Sequence, residues 1–317
     1  MMVPGTQLDL VVSAKEEMAD GVVAVTLQHP KGGRLPDWAP GAHVDVLLPN
    51  GLTRQYSLCG DRWDPGTYRI GVLHEPESRG GSAYIHRHLQ IGDRVAIGGP
   101  RNNFRLVPSE HYLFIAGGIG ITPLLPMVHQ AEVLGVGWRL FYGGRSRATM
   151  AFLDELGGYG DRVTVVPEDE QGLLDLPAWL PTEGSATKVY CCGPEGLLKA
   201  VERHSAHYPA GQVRTERFVP KEQHAPARRT PFQVELSRSG HTLDVRPGQS
   251  VLDVITDAGV HVLTSCRKGV CGTCETGVLA GEPEHRDSLL DDDERAAGDC
   301  MFVCVSSSCS DRLVLDL

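Results

Sequence analysis

Residues 265–277 read Ser-Cys-Arg-Lys-Gly-Val-Cys-Gly-Thr-Cys-Glu-Thr-Gly, and this stretch decides the C-terminal fold. Cys266, Cys271 and Cys274 form a C-x4-C-x2-C run, and Cys304 follows thirty residues after its last member. Four thiolates can hold two bridged irons, and three of them here sit on one tight loop. Gly269 and Gly272 lie between them. Without side chains, they let the backbone wrap closely and aim N–H groups at sulfur. This is the plant-type spacing of a [2Fe–2S] centre. Structural zinc is the competing reading, but zinc sites pair two short C-x2–4-C knuckles, whereas the division here is three plus one. Cys300 is a rival fourth ligand; Cys304 restores the plant-type spacing and is preferred.

The surroundings fit a redox module. The chain has 317 residues and nine cysteines, an odd and irregularly placed set that suits metal or redox work better than disulfide stapling. Its net charge is −10, and residues 231–317 hold 15 Asp and Glu against 7 Lys and Arg. That balance argues against nucleic acid as a partner. The 37 glycines and 21 prolines demand many turns and argue against a helix bundle. Met1-Met2-Val3-Pro4-Gly5 shows no basic segment leading into an apolar run, so no signal peptide is expected. The longest uncharged stretch, Tyr112 to Val128, is broken by Gly117, Gly118, Gly120, Pro123 and Pro126, which suits strand-turn-helix better than a bilayer helix. A cytoplasmic chain with no membrane partner is the expectation.

Working toward the N-terminus, the pattern predicts three domains. Up to about Phe104, short β-branched or alternating runs (Leu8–Val12, Val22–Gln28, His43–Leu48, Tyr56–Leu58, Tyr68–Leu73, Arg94–Ile97) are separated by Pro and Gly turns. They predict an antiparallel β-barrel, with one helix at Ser82–Leu89. Next, the strands Tyr112–Ala116, Trp138–Tyr142, Val163–Val166 and Lys188–Cys192 alternate with helices ending near Leu134 and covering Thr149–Leu156 and Pro194–His204. Such alternation predicts an α/β parallel sheet with right-handed crossovers. Pro220–Pro231 is polar and aperiodic and reads as a linker. Beyond it come a hairpin (Phe232–Leu236, Thr242–Val245), a helix (Ser250–Ala258), the Cys-rich loop and a closing strand, Arg312–Leu317. The expected domains are a barrel over 1–105, a nucleotide domain over 106–219, a linker over 220–230 and an α+β plant-type ferredoxin domain over 231–317.

Two loops of the α/β region have the chemistry of a dinucleotide site. Gly117-Gly118-Ile119-Gly120-Ile121-Thr122-Pro123 follows a strand and opens a helix, so its backbone can approach a pyrophosphate at the helix N-terminus. Strand-to-helix packing alone also explains many such turns. Here the turn is reinforced by Tyr190-Cys191-Cys192-Gly193-Pro194-Glu195, which ends a later parallel strand at the same carboxyl edge. In the barrel, Arg54-Gln55-Tyr56-Ser57 offers a cation, a phenol and a hydroxyl to a phosphate and a flat ring, or is an ordinary strand with solvated tips. Arg79-Gly80-Gly81-Ser82, opening a helix, is a second anion site.

These residues together carry a resemblance. RQYS, RGGS, GGIGITP, YCCGPEG and C-x4-C-x2-C…C, in this order, resemble the phthalate dioxygenase reductase family over essentially the whole chain. The resemblance implies FMN in the barrel, NADH in the α/β domain and a C-terminal [2Fe–2S] ferredoxin. It implies that Arg54, Tyr56 and Ser57 hold the flavin, with Gly80, Gly81 and Ser82 around its phosphate and the backbone of Val72 and Leu73 framing its ring. Gly118, Gly120, Pro123, Cys192, Gly193 and Pro194 would hold NAD. Thr122 would sit at the flavin–nicotinamide junction, Cys192 beside the nicotinamide, and Phe218 against the flavin, these three forming the catalytic set. His74 stands where the family often has a longer basic side chain, and Cys309 is an extra thiol.

The implied function is transfer of electrons from NADH through FMN and the cluster to a partner protein. That partner would be the terminal oxygenase of a Rieske-type aromatic ring-hydroxylating or O-demethylating system. The alternatives are a reductase serving a cytochrome or a free ferredoxin, and a non-enzymatic redox sensor; the intact nucleotide loops speak against the sensor. Arg145-Ser146-Arg147 could receive the 2′-phosphate of NADPH, whereas the resemblance favours NADH. His86 and His88 read as surface helix residues, and Cys59 and Cys191 as small buried hydrophobes. Asp291-Asp292-Asp293-Glu294 reads either as a solvated helix start or as part of an acidic docking face.

Overall fold

The computed structural model describes residues 7–76, 80–182, 185–220, 226–290 and 292–317. The segment Met1–Gly5, Arg79, residues 221–225 of the expected linker and Asp291 lie outside the described residues. The chain divides into two compact units, Met1–Arg217 and Phe218–Leu317.

The first unit begins with the strands β1 (Leu8–Ala19), β2 (Val22–Gln28), β3 (His43–Leu47), β4 (Thr53–Ser57) and β5 (Thr67–Leu73). Helix α1 (Gly81–Arg87) and strand β6 (Arg94–Arg101) follow. All pairings are antiparallel, in the order β4-β3-β6-β1-β2-β5, and a bridge from Leu58 to Ile70 joins the two edges into the expected barrel. Strand β1 is longer than its apolar run because it serves two neighbours. Leu8–Val11 pairs with β6 and Val11–Ala19 with β2, with irregularities near Val12 and Glu17 that bend it around the barrel. Leu10, Val25, Val44, Leu58, Ile70, Val72 and Ile97 fill the interior.

The same unit continues into β7 (His111–Gly117), α2 (Ile121–Leu134), β8 (Gly137–Gly144), α3 (Leu153–Gly157) and β9 (Val163–Pro167). After them come α4 (Glu168–Gln171), α5 (Leu176–Trp179), β10 (Thr187–Cys192), α6 (Glu195–His204) and β11 (Val213–Glu216). The five strands are parallel, in the order β11-β10-β7-β8-β9. The expected helix Thr149–Leu156 is instead a single 3-10 turn, Arg147–Thr149, and the short α3. Phe152 between them adopts φ 64° with its ring fully buried, which ends one and starts the other. Strand β11 and helices α4 and α5 had no apolar period to announce them.

The barrel and the α/β sheet share one core. Val22, Ala24 and Cys59 of the barrel side pack with Ile121, Leu124, Met150 and Phe152 of the α/β side. Gly71 on β5 makes the approach possible: a Cβ there would lie 2.7 Å from Thr122 Cγ2 and 3.2 Å from Phe152. The Arg69–Glu155 ion pair at 2.7 Å bridges the same seam.

The second unit, taken by itself, holds β12 (Phe232–Leu236), β13 (Thr242–Val245), α7 (Val251–Asp257), β14 (Glu275–Ala280), β15 (Pro283–Glu284), α8 (Asp292–Ala297), β16 (Cys300–Phe302), β17 (Ser307–Ser308) and β18 (Arg312–Leu315). The main sheet runs β13-β12-β18-β14-β16, with β12 and β18 parallel, and α7 packs its Val251, Leu252 and Ile255 into the core. The Ser250 hydroxyl accepts from the Asp253 N–H and caps α7.

Candidate functional site

Three constellations stand out. In the second unit, the four cysteines of the spacing argument meet. Cys266 is the first neighbour acting on the Cys271 thiol, and Cys266 and Cys274 are the first two acting on Cys304, so the four side chains lie together. No group of three or more His, Cys, Asp or Glu side chains stands at metal-ligating spacing among the described residues. What fits an iron–sulfur cluster is the chemistry of the set and its backbone. Gly269 and Gly272 adopt φ 69° and 73°, a conformation that costs Gly nothing. The turn they make aims the Lys268 N–H at Cys266 Sγ (3.3 Å) and the Thr273 N–H at Cys271 Sγ (3.4 Å). Cys300 lies apart from this network, on β16 opposite Gly277, and Cys309 is exposed.

In the first unit, the carboxyl edge of the parallel sheet brings the two glycine loops together. Strand order reverses between β7 and β10, the position where open α/β sheets bind ligands. Cys192 is in register with Ala116, so the loops leave adjacent strand ends. A Cβ on Gly120 would lie 2.2 Å from the Cys192 carbonyl oxygen, one on Gly117 2.6 Å from Pro194, and one on Gly193 2.9 Å from Gly117 Cα. Gly118, by contrast, has φ 52° and nothing within 4 Å of a Cβ, which leaves its backbone open to a ligand. Thr122 is 2% exposed; its hydroxyl donates to the Ile119 carbonyl at 2.9 Å.

Cys192 is fully buried, and burial pushes its thiol well up, with Glu216 adding to the effect. The Glu216 carboxyl sits beside it, on the neighbouring strand in register, and burial raises its pKa to about 8. Glu216 was not singled out in the sequence, because nothing local marks a carboxylate that only strand pairing buries. Phe218 opens the second unit with its side chain 44% exposed.

In the barrel, Arg54 and the glycine start of α1 converge. A Cβ on Gly81 would lie 2.6 Å from Arg54 Cγ and Nε, so the Arg54 side chain lies along the start of α1. Gly80, at φ 88°, precedes that helix without a side-chain cap. The buried Ser82 hydroxyl accepts from the Glu75 N–H at 3.0 Å. Tyr56 is half-buried, and burial raises its phenol. One reading changes: His86 is not a plain surface residue. Its Nε2 is 2.9 Å from the Val72 carbonyl and its ring meets His74 edge-on at 5.2 Å, whereas His88 is exposed. The helical period put His86 on the face toward β5, which a flat reading of the sequence missed. Cys59 and Cys191 are buried as expected.

The comparisons with known proteins follow the same lines. Residues 234–309 match the family of 2Fe-2S iron-sulfur cluster binding domains. The phenoxybenzoate dioxygenase subunit beta of Ectopseudomonas oleovorans is 46% identical over 94% of both chains. The crystal structure of phthalate dioxygenase reductase, a modular structure for electron transfer from pyridine nucleotides to [2Fe–2S], is 38% identical over 98% of both, with a TM-score of 0.72. The chain belongs to the phthalate dioxygenase reductase family. It is accordingly an oxidoreductase, a flavin and iron–sulfur reductase of oxygenase systems, with the barrel, nucleotide sheet and ferredoxin architecture of that family. An intact type IV self-sufficient cytochrome P450 monooxygenase also matches 98% of this chain, at 42% identity and a TM-score of 0.93, but the match spans only 41% of that longer protein. Among the described residues, no helix is long and apolar enough to cross a membrane.

Proposed function

We propose that this reductase takes a hydride from NADH onto FMN and passes the electrons singly through the [2Fe–2S] cluster to the terminal oxygenase of a Rieske-type system acting on an aromatic substrate. The flavin supplies the conversion of a two-electron donor into one-electron steps, and the cluster supplies a one-electron carrier. The protein contributes binding and position. Arg54 and the Gly80-Gly81-Ser82 backbone hold the phosphate of FMN. Tyr56 and Ser57 line the ring, and His86 steadies the β5 backbone at Val72 and Leu73 that frames it. Gly118, Gly120, Pro123, Gly193 and Pro194 take the dinucleotide at the sheet edge, with Cys192 buried behind it. Thr122 stands between the two cofactors. Cys266, Cys271, Cys274 and Cys304 ligate the irons.

The observation that carries this reading is the apposition of Gly71 and Thr122. Hydride transfer needs flavin and nicotinamide in one site, and that contact sets the strand assigned to the flavin against the loop assigned to NADH. NADH is favoured over NADPH by the loop after β8. There Arg147 is engaged by Glu170 at 3.2 Å, beside the acidic run Glu168-Asp169-Glu170 that opens α4. A haem-protein acceptor is the second reading, favoured by the match to a self-sufficient P450 monooxygenase.

An anaerobic NADH titration followed in the visible range tests the relay. Bleaching of flavin and cluster bands together, at about three electrons per chain, is expected. Flavin bleaching alone would remove the cluster from the pathway, and bleaching with NADPH in preference to NADH would reverse the nucleotide assignment.

A further inference from the structure

The segment between β15 and α8 braces the cysteine loop, and one side chain organises it. Asp287 has a fully buried side chain. Its Oδ1 accepts from the N–H groups of Leu289 and Leu290, both at 2.9 Å, and from Arg295 at 3.3 Å. Arg295 also donates to the carbonyls of Asp287 (2.9 Å), Leu290 (3.0 Å) and His285 (3.4 Å), so the turn 285–290 is held from within by a carboxylate and from outside by a guanidinium. A buried carboxylate is tolerable only with such partners.

The outer face of this turn is Gly269. A Cβ there would lie 3.0 Å from Asp287 Cα and 2.6 Å from Val305, and the Ser288 N–H donates to the Gly269 carbonyl at 2.9 Å. The N–H of the preceding residue, Lys268, is in turn aimed at Cys266 Sγ at 3.3 Å. The carbonyl of Gly269 is therefore clamped by the 285–290 turn, one residue from an N–H that serves a cysteine of the cluster set.

We propose that Asp287 is a positioning residue for the iron–sulfur cluster: by fixing the 285–290 turn it holds the Gly269 backbone, and with it the Lys268 N–H on the Cys266 sulfur, and so sets the cluster's reduction potential and lifetime. The inference rests on the ligand assignment above. Hydrogen bonds to cluster sulfurs stabilise the added negative charge of the reduced state and raise the potential, and outer residues that orient ligands act through such bonds. Asp287 also carries its own negative charge, which lowers the potential. The two effects separate in two variants. Asp287→Asn removes the charge and keeps an acceptor for Leu289 and Leu290; Asp287→Ala removes both.

The test uses the full chain loaded with its cluster, with the midpoint potential read by an EPR-monitored redox titration and iron loss timed against a chelator. The alanine variant is expected to show a lower potential than the asparagine variant and to lose iron several-fold faster. Equal potentials and equal iron-loss rates in the two would overturn the proposal. If the alanine variant takes up no iron, Asp287→Ser, whose hydroxyl can accept from one of the two N–H groups, is compared with the asparagine variant under the same criterion. Absence of any [2Fe–2S] EPR signal in the unaltered, loaded chain would instead overturn the ligand assignment itself.

Discussion

The backbone of Gly120 passes so close to that of Cys192 that a methyl group on Gly120 would stand 2.2 Å from the Cys192 carbonyl oxygen. The two loops proposed to take the nucleotide are thus in backbone contact across the switch point of the sheet. No side-chain rotation can relieve an added Cβ against a carbonyl. Gly120→Ala is expected to cost about 1–3 kcal/mol of stability, the range for overpacking. It is also expected to raise the KM for NADH, as measured by thermal melts and steady-state flavin reduction. Wild-type values in both would show that the loops separate freely.

Arg54 lies against Gly81 at the start of α1. Arg54→Ala is expected to weaken flavin retention by about 1.5–3 kcal/mol, the range for a charge-assisted contact, which is on the order of tenfold or more in Kd. Flavin content after gel filtration and a fluorescence titration with FMN measure it. Unchanged occupancy would move the phosphate site away from Arg54.

Cys271→Ser removes a thiol from the four-cysteine set in the second unit. Loss of the cluster's absorption and EPR signal is expected, with NADH still bleaching the flavin bound by the first unit. A variant that no longer reduces flavin would show that the two steps are not separable.

Glu216 is held protonated by burial, with a pKa raised from 4.5 to about 8. Between those pH values the folded chain keeps a proton that the unfolded chain has released, so this residue makes stability fall as pH rises through the window and has no further effect above it. Because Glu216 keeps some solvent contact, the loss is on the order of 1–2 kcal/mol, well short of the full shift at 1.36 kcal/mol per unit. Glu216→Gln is expected to flatten the decline, as read by denaturant melts at pH 5 and pH 8. An equal slope in the variant would assign the decline to other groups.

Arg147 is engaged by Glu170 across two loops of the sheet edge. An exposed pair of this kind is worth about 0.2–1 kcal/mol, so Glu170→Gln is expected to raise the NADPH-to-NADH ratio of kcat/KM by up to about fivefold. A ratio unmoved by the substitution would show that Arg147 does not face the adenosine ribose.

What the sequence determined by itself was whatever depends on spacing along the chain. The C-x4-C-x2-C run, the glycine turn after β7 and the strand–helix alternation are local patterns. They arise because a tight loop, a helix N-terminus and a parallel crossover each demand particular residues within a few positions. The strands of the barrel and of the parallel sheet were legible for the same reason, apart from β11, whose Val213–Glu216 alternates without an apolar run, whereas β14 to β17 of the second unit, short strands around the Cys-rich loop, were not. Tertiary structure alone decided the relationships across distance. It set Gly71 against Thr122, joined His86 to the Val72 carbonyl, buried Glu216 beside Cys192, and packed Asp287 under Gly269. Each of these depends on which strand or turn comes to lie beside another, and on the burial that follows. A carboxylate or an imidazole looks the same in sequence whether solvent or a neighbouring strand surrounds it.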